Sequence, residues 1–182
     1  MASCGDNPPT KEIQQAQQAL DAARTSGAER YAGAEFTAAQ EALTRAQAAV
    51  VARDYRQALN DALDARDRAQ TASKDTVDTK ARAKADADRT LHDTALALVG
   101  ARAKLRAAET SRRAPRLATA LRREIADAEK RVQEARTAFE QGAYLDANEI
   151  LAKTLPRLSD SVRMLEGGAT AGRKNLPPAR GR

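Results

Sequence analysis

The side chains that could do chemistry are few in this sequence, and they do not gather. There is one cysteine, Cys4, and one histidine, His92. A single thiol cannot close an internal disulfide, and no Cys or His partners stand at metal-ligand spacing. His92 lies four residues after Asp88 and next to Asp93. No Ser or Cys nucleophile stands in a motif that a histidine base would serve, so His92 reads as a surface residue. The nine glycines sit at termini, at turns or singly, which leaves no glycine-rich loop to cradle a phosphate. Carboxylates are plentiful, but they alternate with Arg and Lys at helical spacing. Asp64/Arg68 and Asp78/Arg82 are examples, and such i,i+4 pairs contribute about 0.2–0.5 kcal/mol each. The expectation is a chain with no catalytic residues, no metal and no cofactor.

Cys4 has a further reading. Ala2-Ser3-Cys4-Gly5 fits the last positions of a bacterial lipobox, Leu-(Ala/Ser)-(Gly/Ala/Ser)-Cys, with Met1 where the Leu would stand. Residues 5–10, Gly-Asp-Asn-Pro-Pro-Thr, form a short polar tether. On this reading Cys4 is the lipid-attachment residue, and the protein is anchored to a membrane without spanning it. Gly5 after the cysteine, in place of Asp, favours the periplasmic face of the outer membrane. Without a lipobox the chain would be cytoplasmic and Cys4 an incidental thiol. No stretch approaches the roughly 20 apolar residues a spanning helix needs.

The elements that must carry these residues are helices. Hydrophobic residues are 42% of the 182, but most are Ala; aromatics are 3% and Trp is absent. Ala, Arg, Gln, Glu and Leu are strong helix formers, and β-branched and aromatic residues are too few for a sheet. Ala faces suit narrow helix–helix contacts. The fold class expected is all-α: an elongated, antiparallel helical bundle or coiled-coil-like rod with one long central helix.

Thr10 is the expected N-cap of a first helix running to about Arg24, ended by Thr25-Ser26-Gly27. A second begins between Ala28 and Ala34, and Phe36, Leu43 and Val50 recur every seven residues as a narrow seam. Asp54 is the expected N-cap of a helix reaching about Ser111, roughly 85 Å at 1.5 Å per residue. Its weakest part is Ala72 to Arg89, where Val77 is the sole large apolar residue. Pro115 starts the next helix in the first turn, where its missing N–H costs nothing. Leu117, Leu121, Ile125, Ala128, Val132, Ala135 and Phe139 follow at steps of three and four. Gly142 caps that helix. The last helix starts at Ala143, kinks at Pro156 and ends at Gly167-Gly168. The expected organisation is a tether over 1–10, a helical domain over 11–166 and a disordered basic tail over 167–182. The domain holds hairpins at about 28–72 and 114–166, joined by the helix 54–111.

The two hairpins read alike at a shift of 89 residues. Glu35-Phe36 corresponds to Glu124-Ile125, Leu43 to Val132, Ala46 to Ala135, Tyr55 to Tyr144 and Ala58 to Ala147. Tyr55 and Tyr144 would cap each seam with the hydroxyl in water, and Ala58 and Ala147 would let the helices approach. The second junction, residues 135–147, weakly resembles a tetratricopeptide helix–turn–helix, but the period of about 34 residues of such arrays is missing.

Tyr31-Ala32-Gly33-Ala34-Glu35-Phe36, an Ala-rich helix, then Arg53-Asp54-Tyr55-Arg56-Gln57-Ala58 together resemble the bacterial family filed as domain of unknown function 4398. The resemblance covers roughly Ile13 to Ala72, with the second hairpin a diverged copy. It implies a cell-envelope lipoprotein, often in the company of peptidoglycan-binding proteins. It brings no established activity and no catalytic residues.

The formal net charge is +6. Residues 101–123 carry Arg102, Lys104, Arg106, Arg112, Arg113, Arg116, Arg122 and Arg123 against Glu109 alone. Arg112, Arg113, Arg116, Arg122 and Arg123 are the candidate patch for an anionic partner. The alternative is a solvated, Arg-rich face. The expected function is a non-enzymatic envelope lipoprotein, a helical spacer, scaffold or binding module, with an envelope protein or the cell wall as partner. The alternatives are a basic nucleic-acid-binding protein, which lacks an aromatic stacking platform or a recognition-helix motif, and an oligomeric coiled-coil adaptor using the exposed Ala faces of the long helix.

Overall fold

The computed structural model describes residues 7–111 and 114–174, with side chains as far as Gly168. All of its regular elements are helices: α1 Thr10–Ser26, α2 Ala28–Tyr31, α3 Gly33–Val51, α4 Tyr55–Thr110, α5 Pro115–Glu140, α6 Tyr144–Ala152 and α7 Thr154–Lys174. The all-α class and the long helix are as the sequence predicts. The chain forms two compact units, 1–82 and 83–182, and α4 contributes to both.

In the first unit α1, α3 and the N-terminal part of α4 surround an Ala-rich core. Ala16, Ala23, Ala39, Ala65 and Ala69 are fully buried, and Leu20, Phe36 and Leu43 are its large side chains. Gln15 of α1 meets Arg66 of α4, while Glu35 and Arg45 of α3 meet Arg68 and Asp61. This order runs α3 antiparallel to α4. Phe36 and Leu43 are buried and Val50 is partly buried, so the seven-residue seam faces the core. The Ala faces let backbones approach, which compensates for small apolar payloads.

The second unit packs α5, α6, α7 and the C-terminal part of α4 around larger residues. Leu98, Leu105, Leu121, Ile125, Val132, Leu151, Leu158 and Leu165 are buried together. Many positions repeat the first unit's burial at the 89-residue shift: Ala58/Ala147, Ala62/Leu151, Ala65/Thr154, Ala69/Leu158 and Thr76/Leu165 are buried in both. The buried threonines satisfy their hydroxyls on their own helix. Thr76 donates to the Ala72 carbonyl at 2.7 Å and Thr154 to that of Ile150 at 2.9 Å.

Four boundaries differ from the sequence reading. Pro9, not Thr10, is the N-cap of α1, and Thr10 is its first residue. A break at Ala32, with φ −141°, separates α2 from α3. The last helix does not kink at Pro156 but is interrupted at Lys153. A proline ring clashes with the carbonyl four residues back, here Ala152. The helix therefore ends there and restarts, placing Pro156 in the first turn of α7. Gly167-Gly168 do not stop α7, which continues to Lys174. Gly168 serves close approach instead, since a Cβ there would collide with Leu117 of α5. Residues 175–182 of the expected tail lie outside the described residues.

Val77 does not anchor α4. It is 66% exposed, and Thr76 is buried in its place. The stretch from Ala72 to Arg89 is nonetheless continuous helix.

Candidate functional site

The residues with the strongest sequence signal fall at the α3–α4 hairpin and at the α2–α3 junction. The hairpin turn is Ala52-Arg53-Asp54. The Asp54 N–H donates to the Ala49 carbonyl at 2.9 Å and the Arg53 N–H to that of Val50 at 3.0 Å. This six-residue pattern ends helices on a left-handed residue, and Arg53 takes that role with φ 59°. Asp54 is the N-cap expected: its Oδ1 accepts from the Gln57 N–H at 3.0 Å. Tyr55 is partly buried and Ala58 fully buried, so the small residue does sit where the two helices meet.

Below the turn, ion pairs hold α3 to α4. Arg45 reaches Asp61 and Asp64, both at 3.3 Å. Asp61 is 7% exposed and is also the acceptor of the Gln57 amide at 2.9 Å, so its buried carboxylate is satisfied. Arg68 donates to Asp64 at 2.9 Å and lies 3.4 Å from Glu35. The Asp64 hydrogen bond and charge, with Glu35 adding to them, raise the Arg68 guanidinium above its ordinary pKa. The Asp64/Arg68 pair anticipated from spacing is therefore part of an interhelical network.

At the other end of α3, Tyr31, Ala32, Gly33, Ala34 and Glu35 form one wall of an open groove of about 410 Å³. Asp75, Asp78, Thr79 and Arg82 of α4 form the other. The Lys80 ammonium stands 5.9 Å from the Tyr31 ring centre, within range of a cation–π contact.

The second hairpin repeats this construction. The Ala143 N–H donates to the Ala138 carbonyl at 2.8 Å and the Gly142 N–H to that of Phe139 at 3.0 Å. Gly142 is the left-handed residue, with φ 76°. Tyr144 packs edge-on against Phe139, ring centres 5.2 Å apart, and Ala147 is fully buried. Arg157 lies 3.4 Å from Glu124, as Arg68 does from Glu35, and Arg131 adds a second cation 3.7 Å from Glu124. The Arg68/Arg157 equivalence escaped the sequence reading, although extending the 89-residue shift by ten residues beyond Ala58/Ala147 would have reached it. The residues lining the groove do not recur. In the shifted register Tyr31, Gly33, Ala34 and Asp75 become Ala120, Arg122, Arg123 and Met164.

The model of the family described as Domain of unknown function (DUF4398) matches residues 11–89. Those residues include the Tyr31–Phe36 and Arg53–Ala58 stretches that carry the resemblance. The DUF4398 match takes in α1 to α3 and α4 as far as Arg89, wider than the stretch from Ile13 to Ala72 that carries the resemblance. It leaves out the second hairpin. No curated protein and no solved structure matches the chain.

The basic patch is only partly assembled as expected. Arg102 pairs with Glu129 at 2.6 Å, Lys104 with Glu166 at 2.6 Å, and Arg122 with Glu109. For Arg102 and Lys104 the opposing acids lie on helices folded back against α4, which a count along residues 101–123 does not see, whereas Arg122 takes Glu109, the one acid within that range. Arg122 is thus a paired residue, not a bare cation. Arg116 and Arg123 are exposed, with no ion pair among the described residues. Arg112, Arg113 and Cys4 lie outside the described residues. The charge imbalance itself is confined to one unit: residues 83–182 hold 20 Lys and Arg against 13 Asp and Glu, while residues 1–82 hold 11 against 12. His92 is exposed on α4. Among the described residues no group of three metal-ligating side chains gathers, and no helix is long and apolar enough to cross a membrane.

Proposed function

We propose that this protein is a non-enzymatic lipoprotein of the bacterial cell envelope. It is tethered through Cys4 at the periplasmic face of the outer membrane, and its helices act as a spacer and scaffold for an envelope protein or the cell wall. The observation that carries the spacer reading is α4, a single helix of 56 residues. The lipobox-like Ala2-Ser3-Cys4-Gly5 and the polar residues that follow support the anchor. The DUF4398 segment presents its motif residues in the groove beside Tyr31 and Glu35, and the net positive charge of residues 83–182 favours an anionic partner surface through Arg116 and Arg123.

Fractionation of cells expressing the protein from its own gene tests this reading. A lipid anchor predicts membrane association that survives high salt, is released by detergent and is lost in Cys4→Ser. Release by salt alone would replace the anchor with surface adsorption, because exposed charge interactions are screened within about 10 Å at 0.1 M salt. A soluble cytoplasmic protein would overturn the proposal.

A further inference from the structure

We infer that the tip of the α3–α4 hairpin docks on the membrane to which Cys4 is anchored, with Val51 between the lipid head groups and Arg53 and Arg56 on their phosphates, a contact that rests on the lipid anchor proposed above. Reach decides the occupant. α1 runs antiparallel to α3: Arg24 stands over the Phe36 ring, 5.6 Å from its centre, and Gln17 and Leu20 line one groove with Leu43, Thr44 and Gln47. Two turns further, this register sets Thr10, the first residue of α1, level with Val50 and Val51, the last residues of α3. The end of α1 that leads to Cys4 is therefore the end at which the hairpin turns. Thr10 follows Cys4 by six residues, and a chain of that length spans at most about 20 Å. A lipid on Cys4 holds the tip within that distance of the bilayer surface.

The side chains at the tip suit that surface. Val51 is 85% exposed, the most of any large apolar residue among those described, and Leu59 is 36% exposed. Tyr55 is partly buried beside them, with the amphipathic ring that suits a boundary between water and lipid. Arg53 and Arg56 are exposed, with no ion pair among the described residues. Asp54, between them, accepts from the Gln57 N–H, and Lys11 and Glu12 at the start of α1 offset each other. The fold does not ask for this set. The same turn in the second hairpin carries Glu140 and Gly142 where the first carries Val51 and Arg53. Arg53 also holds the left-handed conformation that Gly142 adopts freely, so its side chain stands there at a cost to the fold.

The full chain with its sole thiol, Cys4, coupled to one acyl chain tests this, because a single acyl chain binds membranes only marginally and reversibly. Flotation with vesicles of equimolar phosphatidylcholine and phosphatidylglycerol measures the affinity. Val51→Asp should weaken it about tenfold, and Arg56→Gln about fivefold, as expected for one cation near an anionic surface. Arg53→Gly should weaken it similarly while stabilising the fold, a pairing that a purely structural role would not give. Val77→Asp, at a valine 66% exposed further along α4, should change nothing. An affinity indifferent to Val51→Asp, or lowered as much by Val77→Asp, would overturn the inference. The chain has no Trp, so Val51→Trp reports on the tip alone: brominated lipid should quench it and leave Val77→Trp bright, and an unquenched Val51→Trp on floated vesicles would overturn the inference as well. Circular dichroism spectra matching the parent chain would show that each variant is folded. The acyl chain is supplied chemically, so these outcomes judge the tip, whereas the anchor stands or falls by whether cells acylate Cys4.

Discussion

The two hairpin turns offer a controlled exchange. Both end a helix with the same pair of backbone hydrogen bonds, and both put the second-to-last residue of the six-residue turn in the left-handed region. In one that residue is Gly142 and in the other Arg53, with φ 76° and 59°. A side chain in this region costs roughly 1–2 kcal/mol, whereas glycine costs about 0.5–1 kcal/mol in extra chain entropy. Arg53→Gly should therefore stabilise the first unit by about 0.5–1 kcal/mol, and Gly142→Arg should destabilise the second by a similar amount. A Cβ at Gly142 meets nothing within 4 Å, so the second penalty is one of backbone conformation alone. Arg53 is exposed, so its removal deletes no core contact. For a unit of this size, 1 kcal/mol corresponds to roughly 4–8 °C in Tm. Amide hydrogen exchange in increasing urea, read by mass spectrometry, follows each unit separately. Protection should rise in α3 and the N-terminal part of α4 for Arg53→Gly, and fall in α5 and α6 for Gly142→Arg. Unchanged α5 and α6 protection in Gly142→Arg, or a loss of α3 protection in Arg53→Gly, would refute the equivalence of the two turns.

Gly168→Val should destabilise the second unit by about 1–3 kcal/mol, the usual cost of overpacking, because Leu117 occupies the space its side chain needs; thermal unfolding followed by circular dichroism checks this, and no change would mean that α7 does not approach α5 there. Within the interior of α4, the amides of residues 77–82 and 88–93 should exchange fastest, since no side chain in either run is buried and local opening follows low burial. Uniform protection along the helix would contradict this.

The helical class, the extent of α4 and the repeat were legible because they rest on local patterns. Composition and the lack of Pro or Gly between Asp54 and Val99 are enough for the helix. Glu35 with Glu124, and Tyr55 with Tyr144, are enough for the 89-residue register. What the sequence could not carry are effects that depend on partners distant along the chain. Arg102 and Lys104 are balanced by Glu129 and Glu166, which belong to helices folded back against α4. Gly168 resembles a stop signal until Leu117 is placed beside it. Pro156 was a correct sign of disruption, but the first turn of α7 absorbs it and the break falls at Lys153. Val77 drew attention as an apolar residue, yet the rotation of α4 is set by its many small buried alanines, and Thr76 takes the core position.

Lipid attachment at Cys4 is the claim on which the envelope role depends, and metabolic labelling tests it most directly. Cells expressing the protein from its own gene, grown with an alkyne-bearing fatty acid, should yield labelled protein, and Cys4→Ser should yield none. An unlabelled parent protein, or label that persists in Cys4→Ser, would contradict the account.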